Sequence, residues 1–343
     1  MSSASNETIG DPPGVEEKIF WTVFHILVAL SSLIGDSVIL VGTIRYKAIK
    51  LHRVIVVTIQ HLAVCDLLLT VFRLVPLAVS LIGEGWVLGS FLCRVNLILP
   101  YIVTPCSAML TCVLSTFKLL IVQRPLRRAG WSKKRAHIVC GASWMLCLLL
   151  PSQFLNLFFT PEESLYFDYN HYICHSDFDL TSAPLWLIDF AHISIIFGVV
   201  GLLFILITTS AILLYKARKA VINLGGTVRW QGVLTVTLTT GVFLVSYLPD
   251  TIVPLIVRFT SLSVSSSIQR TASFFENTNI VANFFIYAVT VRSFRDFLST
   301  RIRQLAVKIG LSSPNRPGLQ ERPHLGAQRA MQSSRTVTRE SAM

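Results

Sequence analysis

The residues with the clearest capacity for chemistry are ionisable side chains inside long apolar stretches: Asp36, Asp66, Arg73, Asp250 and Glu276. A charge at the centre of a membrane costs about 2.5–3.5 kcal/mol on insertion scales, so such residues are functional candidates by default. Carboxylate oxygens suit hard cations, and a guanidinium suits a carboxylate. We interpret these residues as binding groups and not as an enzyme site, because no nucleophile–base triad or zinc-ligand spacing accompanies them.

The composition requires a membrane around most of the chain. Of 343 residues, 52% are hydrophobic and only 14% are charged, and the mean hydropathy is +0.62. A soluble domain carries roughly a quarter charged residues, so a water-soluble globule is excluded. The excess of 30 Lys and Arg over 18 Asp and Glu does not indicate nucleic-acid binding, because the two signs alternate from loop to loop.

Seven stretches are long enough to cross a bilayer as helices, which takes about 20 apolar residues for a layer of about 30 Å. The predicted fold is therefore an all-α membrane protein, a seven-transmembrane helix bundle followed by a short amphipathic eighth helix. The predicted spans cover residues 19–44, 54–82, 90–122, 136–158, 185–215, 228–257 and 271–291.

The charge of the loops predicts the orientation of the chain. Basic residues follow spans 1, 3 and 5 and fill the tail, whereas acidic residues occupy the amino terminus and the loops after spans 2 and 4. Short basic loops stay in the cytoplasm. We therefore expect a multi-pass plasma-membrane protein with its amino terminus outside and its carboxyl terminus inside. Asn6 then starts an Asn-Glu-Thr sequon on the side where glycans are added, and span 1 serves as an uncleaved signal anchor.

Four segments follow from these patterns: an extracellular amino terminus at 1–18, the bundle at 19–291, the amphipathic helix at 292–308 and a disordered cytoplasmic tail at 309–343. In the amphipathic segment Phe294, Phe297, Leu298 and Ile302 recur at helical spacing among arginines, which is typical of a helix lying on membrane lipids. The Ser and Thr residues of the tail are candidates for phosphorylation and for recruiting an arrestin.

Short motifs occur in a fixed order along the spans. They are Gly-Asp at 35–36, Leu-Ala-Val-Cys-Asp at 62–66, Trp-Val-Leu-Gly at 86–89 before Cys93, Phe-Leu-Val-Ser-Tyr-Leu-Pro at 243–249 and Asn-Phe-Phe-Ile-Tyr at 283–287. Each motif alone is weak, but the ordered set resembles the rhodopsin-like (class A) G-protein-coupled receptors. The resemblance covers residues 19–305.

The chain departs from that family at the foot of span 3. Residues 117–119 are Phe-Lys-Leu where the family carries Asp/Glu-Arg-Tyr. Lys118 stands where the family's Arg reaches the G protein, and Phe117 offers no acid to hold it. We expect a resting state without an electrostatic latch, with either ligand-free activity or poor coupling; in the plainer alternative, Lys118 only extends to the membrane interface. The flanking residues fix the register: Cys93 above, and Arg124, Pro125 and Leu126 below.

The resemblance also implies a disulfide. Cys93 lies at the outer end of span 3 and Cys174 lies in the acidic loop between spans 4 and 5, in an oxidising compartment. A bridge between them would hold that loop over the mouth of the bundle. The other five cysteines fall within spans and are expected to be packing residues.

By the family's register, Asp66 has three polar neighbours, Ser107, Asn279 and Asn283. One carboxylate with hydroxyl and amide oxygens suits Na⁺, as the resemblance also implies, and a hydrogen-bonded core without an ion is the alternative. Asp36 adds a second acid where the family has Asn. Two close carboxylates in a low dielectric do not both ionise, so either one is protonated or the pair holds the cation more tightly.

The resemblance places a ligand pocket in the outer half of the bundle. Its mixed charge suits a polar or zwitterionic small molecule or a short peptide, and the acidic loop favours a cationic group. Pro100 stands where amine receptors carry Asp, so an aminergic receptor is not favoured. Asn277 stands where opsins carry the retinal-binding Lys, so a photopigment is not favoured either. The predicted pocket residues are Arg73, Tyr101, Thr104, His192, Asp250, Glu276 and Asn277.

The predicted function is a receptor that transmits binding of an extracellular ligand to a heterotrimeric G protein. Pro249 kinks span 6, so Phe243 and Tyr247 can repack as its inner half moves outward, and Tyr287 belongs to the same switch. A decoy or weakly coupling receptor is one alternative, and a transporter or channel is another, although no repeated halves are visible. No cofactor beyond Na⁺ is expected. The predicted coupling residues are Lys118, Arg124, Pro125 and Leu126.

Overall fold

The structure is a computed structural model of the chain. It describes residues 8–9, 14–46, 53–123, 132–149, 165–168, 173–176, 231–260 and 265–310, together with single helical positions between 201 and 219. Span 5 at 185–215, apart from those single positions, and the second half of span 4 lie outside the described residues. The same is true of most of the amino terminus and of the tail beyond residue 310.

Helices account for nearly all of the described residues, and they follow the predicted spans. Span 2 consists of two helices joined by a π turn, Thr70–Leu74. The helices are α1 (Val15–Ile44), α2 (Arg53–Leu69), α3 (Val75–Ile82), α4 (Gly89–Gln123), α5 (Lys133–Leu149), α6 (Gln231–Thr260), α7 (Ser266–Thr290) and α8 (Arg292–Lys308).

The helix ends differ from the predicted spans because helices extend past the apolar stretch. Helix α1 begins at residue 15 and not at 19, with Glu16 and Glu17 in its first turn, where acids favour the positive end of the helix dipole. Helix α7 begins at residue 266 and not at 271, and α6 ends at residue 260 and not at 257. The prediction placed the helix ends where hydropathy falls, whereas the helical conformation of the backbone continues through the flanking polar residues.

The π turn in span 2 has a local cause. Pro76 has no N–H, so it cannot donate to the carbonyl four residues earlier, that of Phe72. The side chain of Asn96 on α4 donates to that carbonyl at 3.0 Å, and the N–H of Val75 reaches back five residues to Thr70. Proline therefore opens the backbone, and a neighbouring helix satisfies it. Such π turns occur frequently at functional sites.

The helices pack as a bundle around a shared core. Helix α1 contacts α2, α3 and α7, α2 contacts α4 and α5, and α6 contacts both α4 and α7. The largest fully buried side chains include Leu62, Leu114 and Tyr287. Other large apolar side chains, such as Ile34 and Val289, are exposed on the outside, as expected of helices that face lipid.

Within the described residues, three segments are long and apolar enough to cross a membrane: Val15–Ile44, Arg53–Ile82 and Gly89–Phe117. They correspond to the first three predicted spans. Helix α7 is not among them, because several polar and ionisable residues lower its hydropathy.

A small sheet adds to the helices and was absent from the all-α prediction. It has the strand order β1-β2-β3, formed by Thr8–Ile9, Leu165–Asp168 and Ile173–Ser176. Strand β1 runs parallel to β2, while β2 and β3 are antiparallel and place Phe167 opposite Cys174. Strands of two to four residues give too short an alternation to be recognised in the sequence.

The chain divides into two compact units, Met1–Phe297 and Leu298–Met343. In the first unit, the start of α8 is held by aromatic contacts: the buried Phe294 meets Phe284 with ring centroids 6.2 Å apart, and Phe297 meets Tyr46 at 5.6 Å. In the second unit, the helix ends near Gly310, whose φ of 74° favours glycine.

Candidate functional site

A buried ion pair joins span 2 to span 7. Arg73 lies in the π turn, and its two terminal nitrogens donate to Glu276 on α7: Nη1 to Oε1 at 2.9 Å and Nη2 to Oε2 at 2.7 Å. The side chains are only 14% and 7% exposed. Such a bidentate contact fixes the orientation of both side chains. The structure thus brings together two of the predicted pocket residues across 203 positions of sequence.

The ion pair lies near two further polar residues, Tyr101 of α4 and Asp250 of α6. Tyr101 is close enough to Arg73, Asp250 and Glu276 for their charges to act on its hydroxyl, and it is 42% exposed on the surface of the chain. Asp250 accepts a hydrogen bond from Ser273 at 3.3 Å. We call these four residues of the π turn, α4, α6 and α7 the charged cluster.

A second polar group lies between α1 and α7. His25 is buried, its Nδ1 lies 2.6 Å from the carbonyl oxygen of Trp21 and its Nε2 lies 3.4 Å from Nδ2 of Asn277. Because a carbonyl only accepts, Nδ1 carries the proton and Nε2 accepts from Asn277. Sequence reasoning named Asn277 but missed His25. His25 could have been found by the criterion that identified the acids, because it is a polar residue inside an apolar span.

The strand pair is attached to the start of α4. A disulfide joins Cys93 to Cys174, as the resemblance implies, with Cα atoms 5.4 Å apart. Both cysteines are buried in a cluster with Leu97 and Ile98, and Trp86 and Leu165 pack against it. The sheet is thereby fixed to the end of the bundle nearest to the Arg73–Glu276 pair. We call this end of the bundle the Cys93 end.

Asp66 lies deeper in the bundle and is fully buried. Its Oδ2 accepts a hydrogen bond from Nδ2 of Asn283 at 2.9 Å. Among the side chains described, no hydrogen-bond partner meets its Oδ1 or Oγ of Ser107, and both atoms are buried. Asn279 instead lies close to Tyr247 of α6. Of the predicted polar core, the structure therefore joins Asp66 directly to Asn283.

The second acid, Asp36, bonds within α1 and toward span 2. Its Oδ2 lies 2.7 Å from Oγ of Ser32. That hydroxyl is 2.6 Å from Oγ1 of Thr70, the first residue of the π turn. Asp36 and Asp66 are close enough to interact electrostatically, so the two acids belong to one site.

The predicted switch residues form a contact between α4 and α6. The rings of Phe243 and Tyr247 are in contact, with centroids 4.3 Å apart and planes tilted by 38°, and both residues are buried with Ala108 and Cys112 of α4. Pro249 follows in α6.

Toward the Lys118 end of α4, Oγ of Ser115 lies 3.1 Å from Oγ1 of Thr240 on α6, and both residues are buried. The sequence analysis did not predict this hydroxyl contact. Two short polar side chains on different spans gave no sequence signal.

Some predicted residues lie outside the described part of the chain, namely Asn6, His192, Arg124, Pro125 and Leu126. The backbone of Lys118 is helical, but its side chain is not described. Two other predicted residues are described. Tyr287 is buried on α7, and Thr104 places its hydroxyl oxygen inside the bundle without a described hydrogen-bond partner.

Comparison with known proteins defines the class. The chain matches the 7 transmembrane receptor (rhodopsin family) over residues 35–290, which is most of its length. The chain therefore belongs to this family. The family confirms the resemblance to class A G-protein-coupled receptors, the helical membrane bundle and the multi-pass plasma-membrane location. It also confirms that the chain is a receptor and not an enzyme.

Individual relatives are distant. The chain is 33% identical to somatostatin receptor type 5 of Mus musculus over 43% of this chain and 41% of that receptor. It is 23% identical to cysteinyl leukotriene receptor 1 of Cavia porcellus over 72% and 71% of the two chains. It is 32% identical to C-X-C chemokine receptor type 5 of Homo sapiens over 38% of this chain and 35% of the relative. Two of these three matches span less than half of the relative.

Proposed function

We propose that this receptor carries the binding of an extracellular ligand to a cytoplasmic heterotrimeric G protein by an outward movement of α6. The observation that supports this most is the charged cluster of Arg73, Tyr101, Asp250 and Glu276. It lies at the Cys93 end, under the attached sheet, and its Asp250 belongs to α6 itself. A ligand bound there acts directly on the helix that is proposed to move.

The Cys93 end faces the extracellular medium in this proposal, with the amino terminus outside and the carboxyl terminus inside. Two observations support this orientation. The loops at the Lys118 end carry the basic residues, which favours the cytoplasm. The disulfide between Cys93 and Cys174 is stable in an oxidising compartment.

The charge of this cluster points to a ligand with a cationic group. Both terminal nitrogens of Arg73 are bonded to Glu276, so that pair is internally neutral. Asp250 then gives the group of three residues a net charge of −1. A polar or zwitterionic small molecule, or a short peptide, would place its cation near Asp250 and a hydrogen-bonding group near Tyr101.

Transmission to the other end runs through the α4–α6 contact. The rings of Phe243 and Tyr247 pack on α4, and Pro249 removes one backbone hydrogen bond just beyond them. A shift of Asp250 therefore moves the ring pair, and the hydroxyl contact between Ser115 and Thr240 must separate when α6 moves outward. Interfaces of this kind switch between two packings.

A sodium ion fits the polar core. Oδ1 of Asp66 and Oγ of Ser107 are buried oxygens without a described partner, and oxygen atoms are what a hard cation requires. These two residues would hold the ion, with Asn283 fixing the orientation of the carboxylate from the other side. When bound, Na⁺ supplies a positive charge shared by spans 2 and 3. The alternative remains a hydrogen-bonded core.

On the cytoplasmic side, we assign G-protein contact to Lys118 and to Arg124, Pro125 and Leu126. The amphipathic α8 lies on membrane lipids in this proposal, and the phosphorylated tail recruits an arrestin. A decoy receptor is the second candidate. It is favoured by Phe117, which is buried and apolar at the position where the family has an acid beside its Arg.

The test is a cell-based assay of basal signalling for each G-protein family, followed by a screen of amines, peptides, lipids and metabolites. We expect an active ligand to carry a cation and to lose potency on the Asp250→Asn variant. The matched control is Glu84→Gln, an acid of the outer loop that is exposed. A ligand equally potent on both variants would contradict the proposed pocket. Silence with every ligand and G protein would favour the decoy.

A further inference from the structure

A chain of short oxygen–oxygen contacts links α1 to the π turn in span 2. Oγ of Ser32 lies 2.7 Å from Oδ2 of Asp36 and 2.6 Å from Oγ1 of Thr70. Oγ1 of Thr70 in turn lies 2.7 Å from the backbone carbonyl oxygen of Asp66. All four residues are buried, so no bulk solvent screens these contacts.

Counting protons along this chain shows that one is missing if both acids are ionised. Three oxygen–oxygen contacts at hydrogen-bond distance require three protons, and each hydroxyl supplies only one. A carbonyl only accepts, so the Thr70 proton points to Asp66. The Ser32 proton must then point to Thr70, because that contact has no other source. The remaining contact, between Ser32 and Asp36, has no hydroxyl proton left.

We infer that Asp36 is a proton-binding site: its carboxyl group is protonated and donates to Ser32. Without that proton, two oxygens with lone pairs would face each other at 2.7 Å in a buried environment, which is strongly unfavourable. With it, every contact of the chain has one donor. The sequence left open which acid of the pair is neutral, and the geometry assigns the proton to Asp36.

Asp66 does not need a proton. Its Oδ2 accepts from the Asn283 amide at 2.9 Å, and an ionised carboxylate is an acceptor. Within the part of the chain that the structure describes, no Lys, Arg or His forms an ion pair with either acid. The groups nearby that can titrate are the hydroxyls of Tyr247 and Tyr287 and the thiol of Cys65. The geometry therefore assigns a proton to Asp36 and requires none on Asp66.

The proton also has a structural role. It completes the hydrogen-bond path that runs from Asp36 through Ser32 to Thr70. Thr70 begins the π turn and Arg73 lies inside it. Loss of the proton would leave two acceptors facing each other and weaken the contact between α1 and the turn that positions the Arg73–Glu276 pair.

Infrared spectroscopy of the purified full chain in lipid nanodiscs tests the assignment. We expect the C=O stretch of a protonated carboxylic acid in the unmodified protein, its loss in Asp36→Asn and its retention in Asp66→Asn. The amide introduced by Asp36→Asn supplies an N–H in place of the acid proton, so this variant keeps the path. The band surviving in Asp36→Asn, disappearing in Asp66→Asn, or missing from the unmodified protein would overturn the inference.

A second variant tests the same proton without altering either acid. Ser32→Ala removes the acceptor of the Asp36 proton, and we expect the carboxylic-acid band to shift in frequency. The matched control is Ser143→Ala, whose hydroxyl donates to the carbonyl of Val139 in its own helix at 3.1 Å; here the band stays in place. An unshifted band in Ser32→Ala would show that the proton lies elsewhere and would overturn the inference.

Discussion

At the residue scale, the Arg73–Glu276 pair is the group on which the account of ligand binding depends. Both side chains are almost excluded from solvent, so neither charge is balanced by water. Removing one partner leaves the other buried and uncompensated, whereas removing both does not. This asymmetry distinguishes a structural ion pair from an incidental contact.

We predict that Glu276→Gln lowers the free energy of unfolding by about 3–5 kcal/mol, because Arg73 is left without its carboxylate. The double variant Arg73→Met with Glu276→Leu recovers most of this loss. The measurement is thermal unfolding of the purified receptor. A double variant less stable than Glu276→Gln alone would contradict the pairing.

The exposed ion pair between Lys18 and Glu84 makes the stability of the receptor depend on pH in a direction that can be predicted. The Lys18 ammonium lies 2.5 Å from Oε1 of Glu84, and its hydrogen bond and charge lower the pKa of that carboxyl group. A lowered pKa in the folded state gives stability that is present above the ordinary glutamate pKa and is lost as the pH falls through the lower, folded value.

We therefore predict that the unmodified receptor melts slightly higher than Glu84→Gln at neutral pH and that the two converge in acid. The difference is small, because Glu84 is mostly exposed and surface pairs contribute little. Melting curves of both proteins across the acid range measure it. A difference that grows as the pH falls would contradict the assignment.

The chemistry of single residues was largely visible in the sequence, but their partners were not. Ionisable residues in apolar stretches identified Asp36, Asp66, Arg73, Asp250 and Glu276. That Arg73 meets Glu276 depends on the π turn at Pro76, and that Asp36 meets Thr70 depends on the approach of α1 to span 2. Contacts between residues far apart in sequence require the packed structure.

At the element scale, α1 and α7 approach each other closely at Gly35. A Cβ atom added at Gly35 would lie 2.7 Å from Cγ and 2.9 Å from Cβ of Phe284. These atoms are near the backbone, so the ring cannot rotate away. Phe284 stands where the family has Pro, and its bulk requires a residue without a side chain opposite.

We predict that Gly35→Ala destabilises the receptor by about 1–3 kcal/mol through overpacking and that the penalty shrinks in a Phe284→Ala background. Gly141→Ala on α5 is the matched control, because nothing lies within 4 Å of its added Cβ. Thermal unfolding measures all four variants. Equal penalties at Gly35 and Gly141 would show that α1 and α7 are not in close contact.

The contact between α4 and α6 makes a prediction about the resting state. Ser115 and Thr240 join the two helices through their hydroxyls, and a neutral hydrogen bond contributes about 0.5–1.5 kcal/mol. We expect Ser115→Ala to raise basal signalling by roughly two- to tenfold.

Thr116→Val is the control for this experiment, because the Thr116 hydroxyl donates to Cys112 in its own helix. A second-messenger assay normalised to surface expression measures both variants. Equal basal signalling in Ser115→Ala and the unmodified receptor would contradict a restraining role for this contact.

The elements themselves were predictable because hydropathy and length decide where helices lie. Their details were not: the π turn needs Pro76 and the Asn96 side chain of another helix, and the sheet pairs segments far apart in sequence. The helix ends predicted from hydropathy were also displaced. Helices α1 and α7 begin earlier than predicted, because each starts in polar sequence before its apolar stretch.

At the scale of the whole molecule, the structural features follow one another in order from the Cys93 end of the bundle to the Lys118 end. The sheet and the disulfide mark the Cys93 end, the ion pair and Asp250 follow, the two acids lie deeper, and the α4–α6 hydroxyl contact lies beyond them. Family membership could be recognised from the ordered motifs, since they are local in sequence. The charged cluster could not be predicted as a unit, because it depends on the packing of helices that are far apart in sequence.

The most direct test of the central claim is nucleotide exchange on purified heterotrimeric G proteins, one from each class, by the receptor in lipid nanodiscs. The account predicts that the receptor accelerates exchange on at least one class without ligand, because Phe117 stands where the family has the acid of its latch, and that Ser115→Ala accelerates it further. Exchange at the uncatalysed rate on every class, with both proteins correctly folded, would contradict the claim that this bundle transmits a signal to a G protein.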